Sequence, residues 1–343
     1  MHLDARGHPL HTRALGVVLT HRNDAKLDAQ AYLLDVRKCG LVPVGADLHS
    51  PGVLHHMLLR AVIDPVTAAI ESIAAEQPNV AFEPSAFTEG ESCRDPTGRI
   101  AALARTPLDA DFGRRVSAAV GGPRGCSHIL TLTHFMASVV SRALTQDRAR
   151  YGVNPRRRPG ERVFRADLVA DGCRMAAGRV ALAIQLAELH LAPSPALSRP
   201  MERFAGHLDV RALVEVSVPA FQIIHVEAAE RSRRLEDLDR AVWRDRHDTV
   251  AQLCGLPLWA GGTAELIRRL GQEAADRPLL DTLLLIGPTL VQCGGALSES
   301  WPLLARDSPS LLGIAGIPDS CYMWRCDGAL HRSRRPDDPV PSV

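Results

Sequence analysis

The chain has 343 residues, 46% of them hydrophobic and 23% charged, and Lys+Arg 40 nearly cancel Asp+Glu 39 to a formal net charge of +1. An ordinary apolar fraction with little net charge excludes disorder as the dominant state. It also disfavours a nucleic-acid partner, because phosphates are bound by a net or clustered positive field.

At roughly 150 residues per domain the length points to about two domains. Met1 to Arg6 lack the apolar stretch of a signal peptide. The longest apolar run, Leu283 to Val291, is broken by Gly287 and Pro288 and is far shorter than the roughly 20 residues that span a bilayer. The expectation is a soluble, cytoplasmic protein with no membrane partner. Eight cysteines are too few for a disulfide scaffold of this length, and no Cys-x-x-Cys pair occurs. Free thiols in a reducing compartment follow.

In chain order, a strand is expected over 31–36, then a hairpin of 57–63 and 69–75 joined through Pro65. Helices are expected over 99–104, 109–120 and 127–144, and a short strand at Cys173. The Pro/Arg-rich join Asn154 to Gly160 reads as a solvated loop. The same grammar then returns: a strand over 180–190, a hairpin of 212–218 and 222–228, helices over 237–254, 260–270 and 279–297, and a short strand at Cys321. Strands followed by helices indicate an α+β fold, an antiparallel sheet covered on one face by helices.

The return is visible in the residues themselves. His56 to Pro65 with Ile70 and Ala74-Ala75-Glu76 matches Val210 to Pro219 with Ile224 and Ala228-Ala229-Glu230 at an offset of 154. Ala102 to Leu108 matches Gln252 to Leu258 at 150, and Asp171 to Met175 matches Asp319 to Met323 at 148. Matches that keep both order and spacing argue for a tandem duplication and a pseudo-dimer. The expected domains are 1–179, 180–332 with a degenerate site, and a disordered tail over 333–343.

The chemistry is expected in Gly121-Gly122-Pro123-Arg124-Gly125-Cys126-Ser127-His128, directly before the 127–144 helix. Backbone amides and the helix dipole there favour an anion. A thiol in that setting ionises more easily, with His128 as ion-pair partner or base, so Cys126 is a candidate nucleophile or ligand. The bland alternative makes Cys126 a packing residue and the glycines a helix cap. His55-His56 open the strand that carries Arg60, with Glu71 across the hairpin, and one imidazole would face the helix layer. Arg60, Glu71 and Gly125 are the expected substrate contacts. Aligned by the offsets above, the second copy has Asp209 and Val210 for the two histidines and Asp276 and Pro278 for Cys126 and His128. It cannot repeat this chemistry.

Leu10-His11-Thr12-Arg13, Leu54-His55-His56-Met57-Leu58-Leu59-Arg60 and Gly121 to His128 resemble the bacterial domain of unknown function 2889. That family carries a Leu-His-Asp-Met block, a Gly-Gly-x-x-Gly-Cys-Thr-His block and a terminal Cys-x-x-x-x-x-Asp-Gly pattern, similar here to Cys321 to Gly328. His56 stands where the family has aspartate, and a cysteine usual after the second hairpin strand is missing around Val80 to Pro84. The element order is also similar to the NifU, IscU and SufE iron–sulfur scaffold fold.

The expectation is therefore a small-molecule enzyme of bacterial catabolic or secondary metabolism, a lyase, hydrolase or isomerase without a nucleotide cofactor. It would use Cys126, His128, His55 and His56 at a pocket between the repeats and allow a homodimer. Two alternatives belong to other classes. One is a metal-binding or scaffold protein in which the same residues hold zinc or iron; the other is a non-catalytic subunit.

Overall fold

Period-two alternation dominates the fold. Ten strands form one antiparallel sheet, in the computed structural model, in the spatial order β12-β11-β10-β9-β8-β1-β2-β5-β6-β7. The first half supplies β1 (His8–His21), β2 (Leu27–Arg37), β5 (Gly52–Asp64), β6 (Ala69–Asn79) and β7 (Thr106–Pro107). The second supplies β8 (Arg162–Met175), β9 (Arg179–Leu191), β10 (Phe204–Ser217), β11 (Gln222–Arg233) and β12 (Arg244–Asp245). A separate two-stranded ribbon pairs β3 (Val42–Val44) with β4 (Asp47–His49). The structure describes residues 7–44, 47–194, 199–218, 220–258, 261–271, 273–297 and 317–332.

Helices cover one face of the sheet: α1 (Phe112–Val120), α2 (Ser127–Tyr151), α3 (His247–Val250), α4 (Gly262–Leu270), α5 (Arg277–Leu283) and α6 (Ile286–Ala296), while the terminal α7 (Ala329–Arg332) joins a smaller apolar cluster with Phe82 and Met323. Inward residues Leu15, Val17, Leu19, Leu33, Leu59 and Ile63 are fully or almost fully buried. Against them α2 sets Ile129, Leu132, Met136, Val139, Val140 and Ala143, the 3–4 spacing of an apolar helix face. Each large aliphatic side chain buried in this way contributes about 1.5–3 kcal/mol. One core cluster runs beneath both halves, from Leu10 to Leu297. The stretch Ala274–Ala296 is long and apolar enough to cross a membrane by composition, and 72% of its most apolar window is buried inside the protein.

The α+β class and the antiparallel sheet agree with expectation, but several details differ. The two halves do not form two sheets, because β1 and β8 pair along their length and fuse them. The expected boundary at 179/180 falls at the first residues of β9, inside the β8–β9 hairpin. The helix expected over 237–254 is confined to α3 and short 3-10 turns. The Asp245 carboxylate there accepts the His247 N–H at 2.7 Å and starts the helix late. Cys321 lies outside any strand, at the start of a 3-10 turn, Tyr322–Trp324. In the Pro/Arg join, Arg157 is buried rather than solvated, donating to Asp147 at 2.5 Å and to the Leu191 carbonyl at 3.0 Å. The expected tail, 333–343, and the N-terminal Met1 to Arg6 lie outside the described residues.

Candidate active site

Strand register builds the site. Arg13 of β1 stands opposite Asp35 of β2, and Asp35 stands opposite His55 of β5, so the three form one row across the inner face. Beside that row, His11 stands opposite Arg37. A bulge in β5 follows immediately, so that Leu54 is an extra residue and consecutive Leu54 and His55 are both buried.

The helix contribution depends on glycine. Gly122 has φ +57, a left-handed turn that ends the α1 connection. At Gly125 a Cβ would lie 1.9 Å from the Val120 carbonyl oxygen, so only glycine permits this close approach. Cys126 then becomes the N-cap of α2, and His128 sits in its first turn above the sheet.

Four side chains converge on Asp35, which is fully buried. Arg13 donates Nε to Oδ1 and Nη2 to Oδ2, both at 2.7 Å, and His11 Nε2 lies 2.9 Å from Oδ1. His55 Nδ1 and His128 Nε2 each lie 3.2 Å from Oδ2. The two imidazoles stack, with centroids 3.8 Å apart and planes inclined by 29°. Cys126 Sγ is 3.8 Å from His128 Nδ1, and the Gln292 amide nitrogen of α6 is 3.4 Å from His128 Nε2.

Burial alone would raise the Asp35 carboxyl, but the Arg13 charge and hydrogen bonds from Arg13, His11 and His128 hold it well below the usual carboxylate range. Burial, reinforced by the neighbouring His55, lowers His128 to about 3. Burial also lowers His11. The helix N-terminus does not activate the thiol as expected: burial outweighs the backbone amides and raises Cys126 to about 12. Native-state alkylation at pH 8, read by peptide mass spectrometry, should therefore label the exposed Cys254 and Cys326 first and leave Cys126 protected until the protein unfolds.

These directions fix a pH dependence. His128 has a folded value below its unfolded 6.5. The stability linked to keeping it neutral is complete above that value and drains away as pH falls toward about 3. The expected slope is about 1.4 kcal/mol per pH unit for each such imidazole. Asp35 adds a further loss only below about pH 4. Urea unfolding at pH 7, 5.5 and 4.5 checks this, and a flat profile would contradict neutral burial of His128.

The cluster opens on a cavity of about 370 Å³, within the size range of small-molecule clefts. Its walls are largely apolar, with Leu54, Met57, Phe82, Leu290, Val291 and Met323 among them. Phe221, Leu258, Thr263 and Gln292 bring the second half to the same wall. Cys93 and Cys321 line it together with Cys126, and burial raises both thiols.

Of the residues expected from sequence, Cys126, His128, His55 and Gly125 meet at this cavity. His56, Arg60 and Glu71 do not. His55 points inward, so strand alternation sends His56 and Arg60 to the outer face, where the Arg60 side chain is 66% exposed. Glu71 pairs with Lys26 instead. Sequence reasoning missed Asp35, His11, Arg13 and Arg37. The signal was present: charged residues two apart, in the apolar phase of two strands. In the second half Asp209 turns to the outer face, where Arg231 and Arg233 hold it at 2.9 and 2.8 Å.

Residues 11–142, which contain this whole cluster except Gln292, match the family model described as protein of unknown function (DUF2889). No curated protein and no solved structure matches the chain.

Proposed function

We propose that the chain is a cofactor-independent enzyme acting on a small organic molecule by proton transfer, as a lyase or isomerase. The observation that carries this is the row Arg13–Asp35–His55 with His128 stacked on it at the wall of an apolar cavity. The Asp35 carboxylate lies 3.2 Å behind His55 Nδ1, and hydrogen bonding to His128 Nε2 at the same distance orients the stacked ring. His55 then takes a proton from the substrate and returns it to the product. His128, kept neutral, donates or accepts a hydrogen bond at a substrate oxygen, as a neutral imidazole does when its pKa is depressed. Cys126 serves as a polar anchor through its protonated thiol.

The same reading takes the chain as duplicated, with the second copy forming the far wall. Its support is the spacing of equivalent elements. Strands β1 and β8 are both 14 residues long and begin at His8 and Arg162. Helices α1 and α4 are both 9 residues long and begin at Phe112 and Gly262. The Leu108 N–H donates to the Ala68 carbonyl as the Leu258 N–H does to that of Phe221.

The test is turnover. Purified protein is incubated with a bacterial metabolite extract, and substrate loss and product gain are followed by mass spectrometry. The expected result is one paired change that disappears in His128→Ala and is reduced in Cys126→Ala. Folded variants that both keep full turnover would end the proposal.

A second reading rests on one observation: ligand atoms of Asp35, His55 and His128 lie within 4.8 Å of one another. Two imidazoles and a carboxylate suit zinc or iron. The donor types fit, but Arg13 already occupies both carboxylate oxygens. Elemental analysis of protein purified without chelator separates the readings, since stoichiometric metal favours the second.

A further inference from the structure

Arg37 lies two residues beyond Asp35 on β2, on the same inner face, and lines the cavity although only 6% of the residue is exposed. Unlike Arg13, it has no carboxylate partner among the described residues. Among those residues its one hydrogen bond is a long one, from Nη1 to the His49 carbonyl at 3.4 Å, and its Nε has no acceptor there. Space has been left for the guanidinium, because a Cβ on Gly295 would approach Nη2 to 3.3 Å. An unpaired buried charge is costly and is retained where something else compensates it. Burial lowers the guanidinium itself.

We infer that Arg37 is the receptor for the anionic group of the substrate, and that the substrate class is a small monocarboxylic acid with an apolar body. This rests on the catalytic reading above and extends it. Charge balance selects a monoanion: of the two guanidinium groups that line the cavity, Arg13 is paired with Asp35 and Arg37 is left as one uncompensated cation. A phosphate dianion would leave a negative charge in an apolar cavity. Guanidinium and carboxylate also match as a bidentate pair. The alternation of the strand sets the two functions one pleat apart, roughly 7 Å, so a carboxylate on Arg37 lays its neighbouring carbons along the Asp35–His55–His128 cluster.

The test is calorimetric titration of the full chain with straight-chain acids from butanoate to dodecanoate and with phenylacetate. Each acid is run beside its primary amide, and inorganic phosphate is run as a control. Wild type should prefer at least one acid over its amide by about 10- to 100-fold, the range of a charge-assisted hydrogen-bonded pair. Arg37→Gln should abolish the preference, and Arg37→Lys should restore part of it. Without ligand, Arg37→Gln should melt no lower than wild type, since it removes an unpaired charge. His128→Asn should keep the acid preference while losing turnover, which separates failure of the anion site from failure of the catalytic reading. Equal affinity for acids and amides, no binding by any acid, tighter binding of phosphate, or a marked fall in melting temperature in Arg37→Gln would each overturn the inference.

Discussion

Asp35→Asn is expected to destabilise the fold by about 3–5 kcal/mol, the range for removing one partner of a buried ion pair. The carboxylate receives Arg13 through both oxygens and is fully buried. Its loss leaves a buried guanidinium without a counter-charge, close to the imidazoles of His11, His55 and His128. The effect is read by urea unfolding at pH 7. Arg13→Gln should cost a comparable amount, for the same reason in reverse. The double variant should recover part of the loss, because each charge alone is worse than neither, and the cycle isolates that coupling. A change below about 1 kcal/mol for Asp35→Asn would contradict a buried, paired carboxylate at the centre of the site.

The second large effect is on catalysis. Once a substrate is in hand, His55→Asn and His128→Asn should each lower kcat/KM by about 10²- to 10⁴-fold, the usual yield of positioned acid–base groups. Stability should change by no more than about 2 kcal/mol. His56→Asn is the matched control one residue away. It lies on the outer face, so it should leave kcat/KM unchanged and shift stability by no more than about 0.5 kcal/mol. Loss of activity in His56→Asn equal to that in His55→Asn would mean that the strand face has been misassigned.

The antiparallel strands with helices beside them, and the Cys126–His128 segment at the start of a helix, were legible through alternation and motif. The sequence concealed β1 for a physical reason. The inward positions at its start are His11 and Arg13, so the alternation of apolar and polar residues that marks a strand is broken just where the site begins. Asp35 was hidden similarly, as the polar residue within an otherwise apolar strand, and only the register of β1, β2 and β5 joins it to Arg13 and His55. The choice between His55 and His56 could not be made from adjacency, because it depends on a bulge at Leu54. Arg60 looked like a substrate contact since it shared a strand with the histidines. Arg37 has that environment instead, set by burial against α6 rather than by any local motif. The activation expected at Cys126 failed because the helix terminus is itself buried, and desolvation of a thiolate exceeds what backbone amides return.

The most direct measurement is nitrogen NMR of the imidazole rings in metal-free protein, titrated from pH 8 to 4.5 with and without a bound carboxylic acid. His128 should stay neutral throughout, in line with its lowering to about 3, and its ring nitrogens should shift when the acid occupies the cavity. A His128 ring that titrates near 6.5, as an exposed imidazole does, and that ignores the ligand would contradict a buried neutral imidazole at a substrate site.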